Sequence, residues 1–220
     1  MPQKYFWPLA MISGLILWAA CKKEVSREGE PPTAPATTCS YAPYTTGSAY
    51  NFENVNNSTK DTTRFSVNIT GDTIINGLVY KKLASDTATT YDHCDNGSYH
   101  QMVRGISYEG YTADSVMSIY LKDNVPAGAT WSDTVTVKNG ADQQTVYLTY
   151  TITQKGVVKK VYDLDYTDVI GVRLSATVKV LGIPVSLGTL ATNYYAKGVG
   201  LIQIDQPTDT TRLRDYNIEP

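Results

Sequence analysis

The chain has 220 residues, with 19 Lys and Arg against 21 Asp and Glu and a formal net charge of -2. Its basic residues are scattered, so no stripe of positive charge exists to displace counterions from phosphates, which excludes a nucleic-acid partner. With only two histidines, no GxSxG elbow and no HExxH, serine-hydrolase and zincin chemistry have no support either.

Residues 1–20 have the three parts of a secretory signal: Lys4, an apolar stretch from Tyr5, and small residues at Ala19-Ala20. The stretch is short for a bilayer core, which needs about 20 apolar residues, and it carries Pro8 and Gly14. Trp18 occupies a place where ordinary secretory cleavage wants a small residue, which disfavours simple secretion. Leu17-Trp18-Ala19-Ala20-Cys21 resembles the loose lipobox of Bacteroidota-type lipoproteins, in which the cysteine becomes the first mature residue and is acylated. The resemblance implies lipidation at Cys21; an uncleaved anchor and plain secretion are the alternatives. Acyl chains contribute about 0.8 kcal/mol per buried CH₂ and hold a protein to a membrane without a spanning helix.

Residues 21–38 shift to charged residues and then to Pro-Pro-Thr-Ala-Pro-Ala-Thr-Thr, the composition of an extended tether. Lys22-Lys23-Glu24 resembles the short charged export signals of some surface lipoproteins, and a solvated linker is the plainer account. The expected address is the outer membrane, lipid-anchored, on the periplasmic side or at the cell surface.

Residues 39–220 are long enough for one domain with a real core. With Cys21 acylated, Cys39 and Cys94 remain as an even pair in an oxidising compartment, and a disulfide between them is the default. It would tie the start of the domain to a loop read over Tyr91–Gly97.

Thr, Val and Tyr dominate, with 17 Tyr against 3 Phe, and breaks at Gly, Asn or Asp recur every eight to twelve residues. This is strand composition. In chain order the strands are expected at Ser48–Val55, Phe65–Ile69 with Ile74 and Ile75, Leu78–Tyr80 after the hairpin signal Asn76-Gly77, Tyr99–Arg104, Ser115–Leu121 and Thr134–Val137. Thr145–Thr153, Val157–Asp163, Val169–Val180, Thr192–Ala196, Leu201–Asp205 and Arg212–Tyr216 follow. In Thr145–Thr153, Val146, Leu148, Tyr150 and Ile152 share one face and Thr and Tyr147 the other, as a half-buried antiparallel strand requires. The predicted fold is all-β: one antiparallel, strongly curved sheet of about ten strands, a half-barrel or barrel.

The series Thr46-Gly47-Ser48-Ala49-Tyr50, Gly71-Asp72-Thr73-Ile74-Ile75-Asn76-Gly77-Leu78-Val79-Tyr80-Lys81-Lys82-Leu83, Pro126-Ala127-Gly128-Ala129-Thr130-Trp131 and Tyr194-Tyr195-Ala196-Lys197-Gly198-Val199-Gly200-Leu201-Ile202 resembles a group of uncharacterised Bacteroidota-type lipoproteins that close on YAKGVGL. The resemblance implies a curved antiparallel sheet, like the half-barrel of lipoprotein carriers, and no activity. Gly198 and Gly200 suit a turn or bulge with positive φ.

Three groups are candidates for chemistry. His93, Cys94, Asp95 and His100, with Asp92, match no standard ligand spacing, and Cys94 is better used in the disulfide. Asp163, Asp165 and Asp168 would place two carboxylates on one strand face, fit for Ca²⁺ or an acid–base pair, or simply solvated. Six triplets of Asp, then Ser or Thr, then Thr, Ile, Ala or Val resemble the Asp-Ser/Thr-aliphatic O-glycosylation sequon and offer Thr62, Thr73, Thr87, Ser115, Thr134 and Thr210 as acceptors; turn chemistry is the rival account. No catalytic residue, metal or cofactor is expected.

The expected role is non-enzymatic binding of an apolar or amphipathic ligand by a membrane-anchored lipoprotein, with Val178–Leu190 lining or covering the pocket or forming a plain core strand. A glycan-binding or adhesive module using Tyr and Trp131 is the alternative, and a hydrolase is less favoured. Metabolic labelling with a fatty-acid analogue should mark the protein and miss Cys21→Ser; equal labelling of both would contradict acylation at that residue.

Overall fold

A computed structural model describes residues 39–108 and 110–220. The signal peptide, Cys21 and the tether lie outside the described residues. Among the described residues no helix forms, and twelve strands follow one another: β1 (Ala49–Asn56), β2 (Thr62–Ile75), β3 (Leu78–Ala84), β4 (Thr89–Asp95), β5 (Ser98–Tyr108) and β6 (Tyr111–Lys122), then β7 (Thr130–Asn139), β8 (Asp142–Val161), β9 (Leu164–Val180), β10 (Ile183–Ala196), β11 (Gly200–Asp205) and β12 (Asp209–Asn217). Each strand is antiparallel to its chain neighbour and β12 returns to β1, so the curved sheet of about ten strands closes as a barrel of twelve.

Local chemistry explains most of the strand ends. Asn76-Gly77, with φ of 51° and 81°, makes the two-residue turn that pairs Ile75 with Leu78. The segments read separately as 145–153 and 157–163 are one strand, β8. Register shifts against β9 around Gln154 and Val157 absorb Gly156, so the strand bends without breaking. The segment read as a loop from Tyr91 is strand β4 up to Asp95, and only Asn96-Gly97 turns. Its polar residues hid a strand that is held between β3 and β5 by its pairing.

The barrel is packed around two apolar clusters. One joins Tyr99, Leu121, Ile152, Ile170 and Tyr195; the other joins Phe52, Ile69, Val169, Ala196 and Ile202. Val169 and Ile170 are adjacent in β9, are fully buried, and belong to different clusters. Neighbours in a strand point to opposite faces, so the wall there is covered on both sides.

One seam departs from ordinary pairing. The β6–β7 ladder is reduced to Thr112 opposite Lys138. Further along, the Trp131 indole donates to the Ile119 carbonyl at 2.6 Å, and the Asp133 carboxylate accepts the Ile119 N–H at 2.9 Å. Two side chains thus satisfy both backbone groups of one residue where a strand would otherwise do so. Trp131 stacks on Tyr150 at 5.6 Å and is half-buried, so it is a structural clasp rather than a free platform for sugars.

Candidate functional site

The first ten described residues lie across one end of the barrel, beside the β4–β5 and β10–β11 turns. Cys39 is disulfide-bonded to Cys94 with Cα atoms 5.8 Å apart. The Tyr41 N–H donates to the Tyr99 hydroxyl at 3.2 Å, and the Gly198 N–H donates to the Ser40 carbonyl at 2.6 Å. Gly198 and Gly200 flank the β10–β11 turn with φ of 76° and 104°, and a Cβ on Gly200 would stand 3.4 Å from the Tyr44 ring. The glycine lets that ring lie against the turn.

Beneath this lead-in is a cavity of about 450 Å³. Ala42, Pro43 and Val79 give it apolar walls, the disulfide closes one side, and Tyr44, Lys81, Asp92 and Tyr120 bring polar groups to it. Strand register explains the cluster. Asp72, Lys81, Asp92 and Gln101 are successive partners across β2, β3, β4 and β5, so their side chains share one face.

Lys81 turns to Asp72, at 2.8 Å, and among the described residues no cation pairs with Asp92. Asp92 is 4 % exposed and accepts a hydrogen bond from the Gln101 amide at 3.1 Å. Burial pushes its carboxyl up to about 7, against the smaller lowering effect of its hydrogen bonding. Beside it the Tyr120 hydroxyl is buried against the Asp92 carboxyl and contributes to that lowering effect. Burial first, and then the charge of Asp92, hold the phenols of Tyr120 and Tyr44 well above their ordinary range. Tyr195 lies against Tyr120, with ring centroids 5.4 Å apart. The site can therefore accept and donate hydrogen bonds but presents no activated nucleophile.

The other sequence candidates do not assemble. Cys94 is in the disulfide, while the adjacent His93 holds the Val79 carbonyl at 2.8 Å through Nδ1 and packs between Tyr80 and His100. His100 is lowered by burial and then by His93. Asp95 is exposed at the end of β4. Asp163 lies in the β8–β9 turn, Asp165 in β9, and Asp168 at a positive φ, so the expected alignment of carboxylates on one strand face does not occur. No group of three or more His, Cys, Asp or Glu placed to hold a metal occurs among the described residues.

Of the glycosylation candidates, Thr62, Thr87, Ser115 and Thr134 are exposed and Thr73 is half-buried. Thr210 is buried with its hydroxyl donating to Asn57, which leaves no room for a sugar. Only Thr87 lies in a loop. Val178–Leu190 does not line the cavity; it is the β9–β10 hairpin, exposed throughout from Lys179. Neither a pocket wall nor a core strand describes it.

Sequence reasoning missed the pairing of Asp92 with Tyr120. The available signal was a single acid in the alternating run Tyr91-Asp92-His93-Cys94, on the same strand face as a cysteine that must point inward.

No family model matches the sequence, and no curated protein matches it. Among solved structures, a "putative lipoprotein" from Parabacteroides distasonis ATCC 8503 superposes with a TM-score of 0.51 and 11% identity, covering 80% of this chain and 98% of that one. A "putative exported protein with YmcC-like fold" from Bacteroides fragilis NCTC 9343 superposes with a TM-score of 0.47 and 8% identity, covering 80% and 97%. At these identities the likeness is one of fold.

The burial of Asp92 sets a pH dependence. Its folded pKa is raised, so the folded state keeps a proton that the unfolded chain loses above about 4. Its contribution to stability must fall as pH rises from there to about 7 and be level beyond. The difference is on the order of 4 kcal/mol, at about 1.4 kcal/mol per pKa unit. Urea unfolding of wild type and Asp92→Asn between pH 5 and pH 8 checks this. The wild-type midpoint should fall relative to the variant, and parallel midpoints would show that Asp92 titrates normally.

Proposed function

We propose that the protein is a cell-envelope lipoprotein, anchored through Cys21 at the outer membrane, that binds a small amphipathic ligand in the cavity between the lead-in and β3, β4 and β6. The leader supports the anchor, and so does the shared fold with a structure described as a lipoprotein. The observation that carries the ligand is the cavity itself, whose lining holds the buried Asp92 carboxyl with the Tyr120 hydroxyl beside it.

A buried carboxyl with no basic partner is costly to keep in an apolar interior unless polar groups satisfy it, and a ligand's hydroxyl or amine would do so. The cavity volume falls within the range of about 300–1,000 Å³ common for small-molecule sites. Ala42, Pro43 and Val79 would take the apolar part of the ligand. Tyr120 and Asp92 would take a hydroxyl or amine. Near neutral pH Asp92 can serve as a donor when protonated or an acceptor when ionised, so it adapts to either group.

The test is extraction of the protein purified from its own membranes, followed by mass spectrometry of what is released on unfolding. Wild type should release one small molecule in stoichiometric amount. Ala42→Trp, which fills the cavity, should release none. Tyr120→Phe should bind the re-added molecule about tenfold more weakly, the equivalent of one lost hydrogen bond. Equal release from wild type and Ala42→Trp, or none from wild type, would contradict the proposal.

A further inference from the structure

The β9–β10 hairpin stands apart from the rest of the wall. Pairing of β9 with β8 stops at Val178, and pairing of β10 with β11 begins only at Thr192. Between them the two strands have only each other, and every residue from Lys179 to Leu190 is exposed. Val180, Leu181, Ile183, Val185, Leu187 and Leu190 are apolar and open to solvent. From Leu174 to Thr192 the only charged residue is Lys179. A set of bulky apolar side chains without a cover is not the ordinary surface of a soluble domain.

The apex is Leu181-Gly182, with φ of 50° and 83°. Asn, Asp or Gly ordinarily fills the first place of such a turn, because left-handed backbone strains a larger side chain. Here that place holds a leucine that is 98% exposed. Packing inside the protein cannot account for holding it there.

The backbone decides what can cover this surface. Val180 and Ile183 flank the turn, so Pro184, opposite Lys179, falls in the next, non-hydrogen-bonded pair with its nitrogen on the outer edge of β10. Pro184 presents no outward N–H. Register shifts at Ser186/Gly188 and Thr189/Ala191 distort the same edge. A proline and bulges are the devices that blunt an edge against a further strand, whether from another protein or from a second copy of this chain.

The side chains at the base of the exposed segment suit a water–lipid boundary. The Lys179 ammonium lies 4.9 Å from the centre of the Tyr147 ring. A lysine and a tyrosine at this level suit headgroups.

We propose that the Leu181–Ile183 tip of the β9–β10 hairpin inserts into a lipid surface, with Lys179 and Tyr147 at headgroup level. This contact lies at the barrel end opposite the lead-in and the Cys39–Cys94 disulfide, so it is a second membrane attachment beside the anchor expected at Cys21.

The test uses the full acylated chain carrying Leu181→Cys, labelled at the new thiol with an environment-sensitive fluorophore. The protein is incorporated in vesicles of phosphatidylethanolamine and phosphatidylglycerol, with and without doxyl-labelled lipid. Emission should shift to the blue on incorporation and fall several-fold with doxyl lipid. A label at Thr87→Cys, in a turn at the same end, should show neither change. Ile183→Asp in the labelled protein should abolish both effects, and Val180→Cys, opposite Ile183 beside the turn, provides an independent label position. A tip label that stays water-exposed in vesicles overturns the proposal. So does a blue shift that grows with protein concentration and ignores doxyl lipid, because it assigns the surface to a second copy. Neither outcome bears on the cavity, which is read by the released molecule.

Discussion

β1 is hydrogen-bonded on both sides: to β2 from Ala49 opposite Asn68 to Val55 opposite Thr62, and to β12 from Ala49 opposite Asn217 to Asn56 opposite Asp209. That double pairing joins the first strand to the last and removes the open edges a twelve-strand sheet would otherwise present. Glu53 reinforces it from the middle of β1. Its carboxylate holds Arg64 of β2 at 3.0 Å, Arg214 of β12 at 2.7 Å and the Tyr162 hydroxyl at 2.7 Å. Hydrogen bonding from Tyr162 and then Arg64 lowers its pKa to about 2. A carboxylate so held stays ionised through the whole working range of pH.

Closure determines what the inside must be. A ring of twelve strands encloses more space than aliphatic side chains fill, and tyrosine supplies the bulk. A phenol brings a hydroxyl that must find a partner in that interior. Tyr99 meets this demand with Asp123 at 2.7 Å, and Tyr120 turns to Asp92. The lead-in, tied down at Cys39, covers one end and encloses the space into which Tyr120 and Asp92 point. Lys81 shares their face but turns to Asp72, and burial raises the Asp92 carboxyl to about 7.

Much of this was legible in the residues. The strict alternation of β8, the Asn76-Gly77 turn and the pairing of two cysteines follow from local or compositional rules. What was not legible depends on contacts distant in the chain. β4 carries Asp92, His93 and Asp95, and its strand state is set by pairing on both sides rather than by its own composition. Asp92 and Tyr120 lie on strands separated by β5, and no spacing rule brings them together. A bulge between Tyr99 and His100, in the pairing of β5 with β6, changes which residues of β6 face inward. Val178–Leu190 reads equally well as core or pocket wall, because apolar composition does not say where the neighbouring strands stop.

The two ends of the barrel thus have different characters. One is covered, cross-linked and carries buried polar groups; the other extends an apolar hairpin whose one charge is Lys179 at its base. Both follow from closure, which leaves only the ends for function. Amide hydrogen exchange of the intact protein, followed by mass spectrometry, tests the closure itself. In a closed ring the amides of Ala49–Asn56 and Asp209–Asn217 should be protected as strongly as those of β8 and β9. Rapid exchange at alternate residues of both segments would show two free edges, and the sheet would be an open half-barrel.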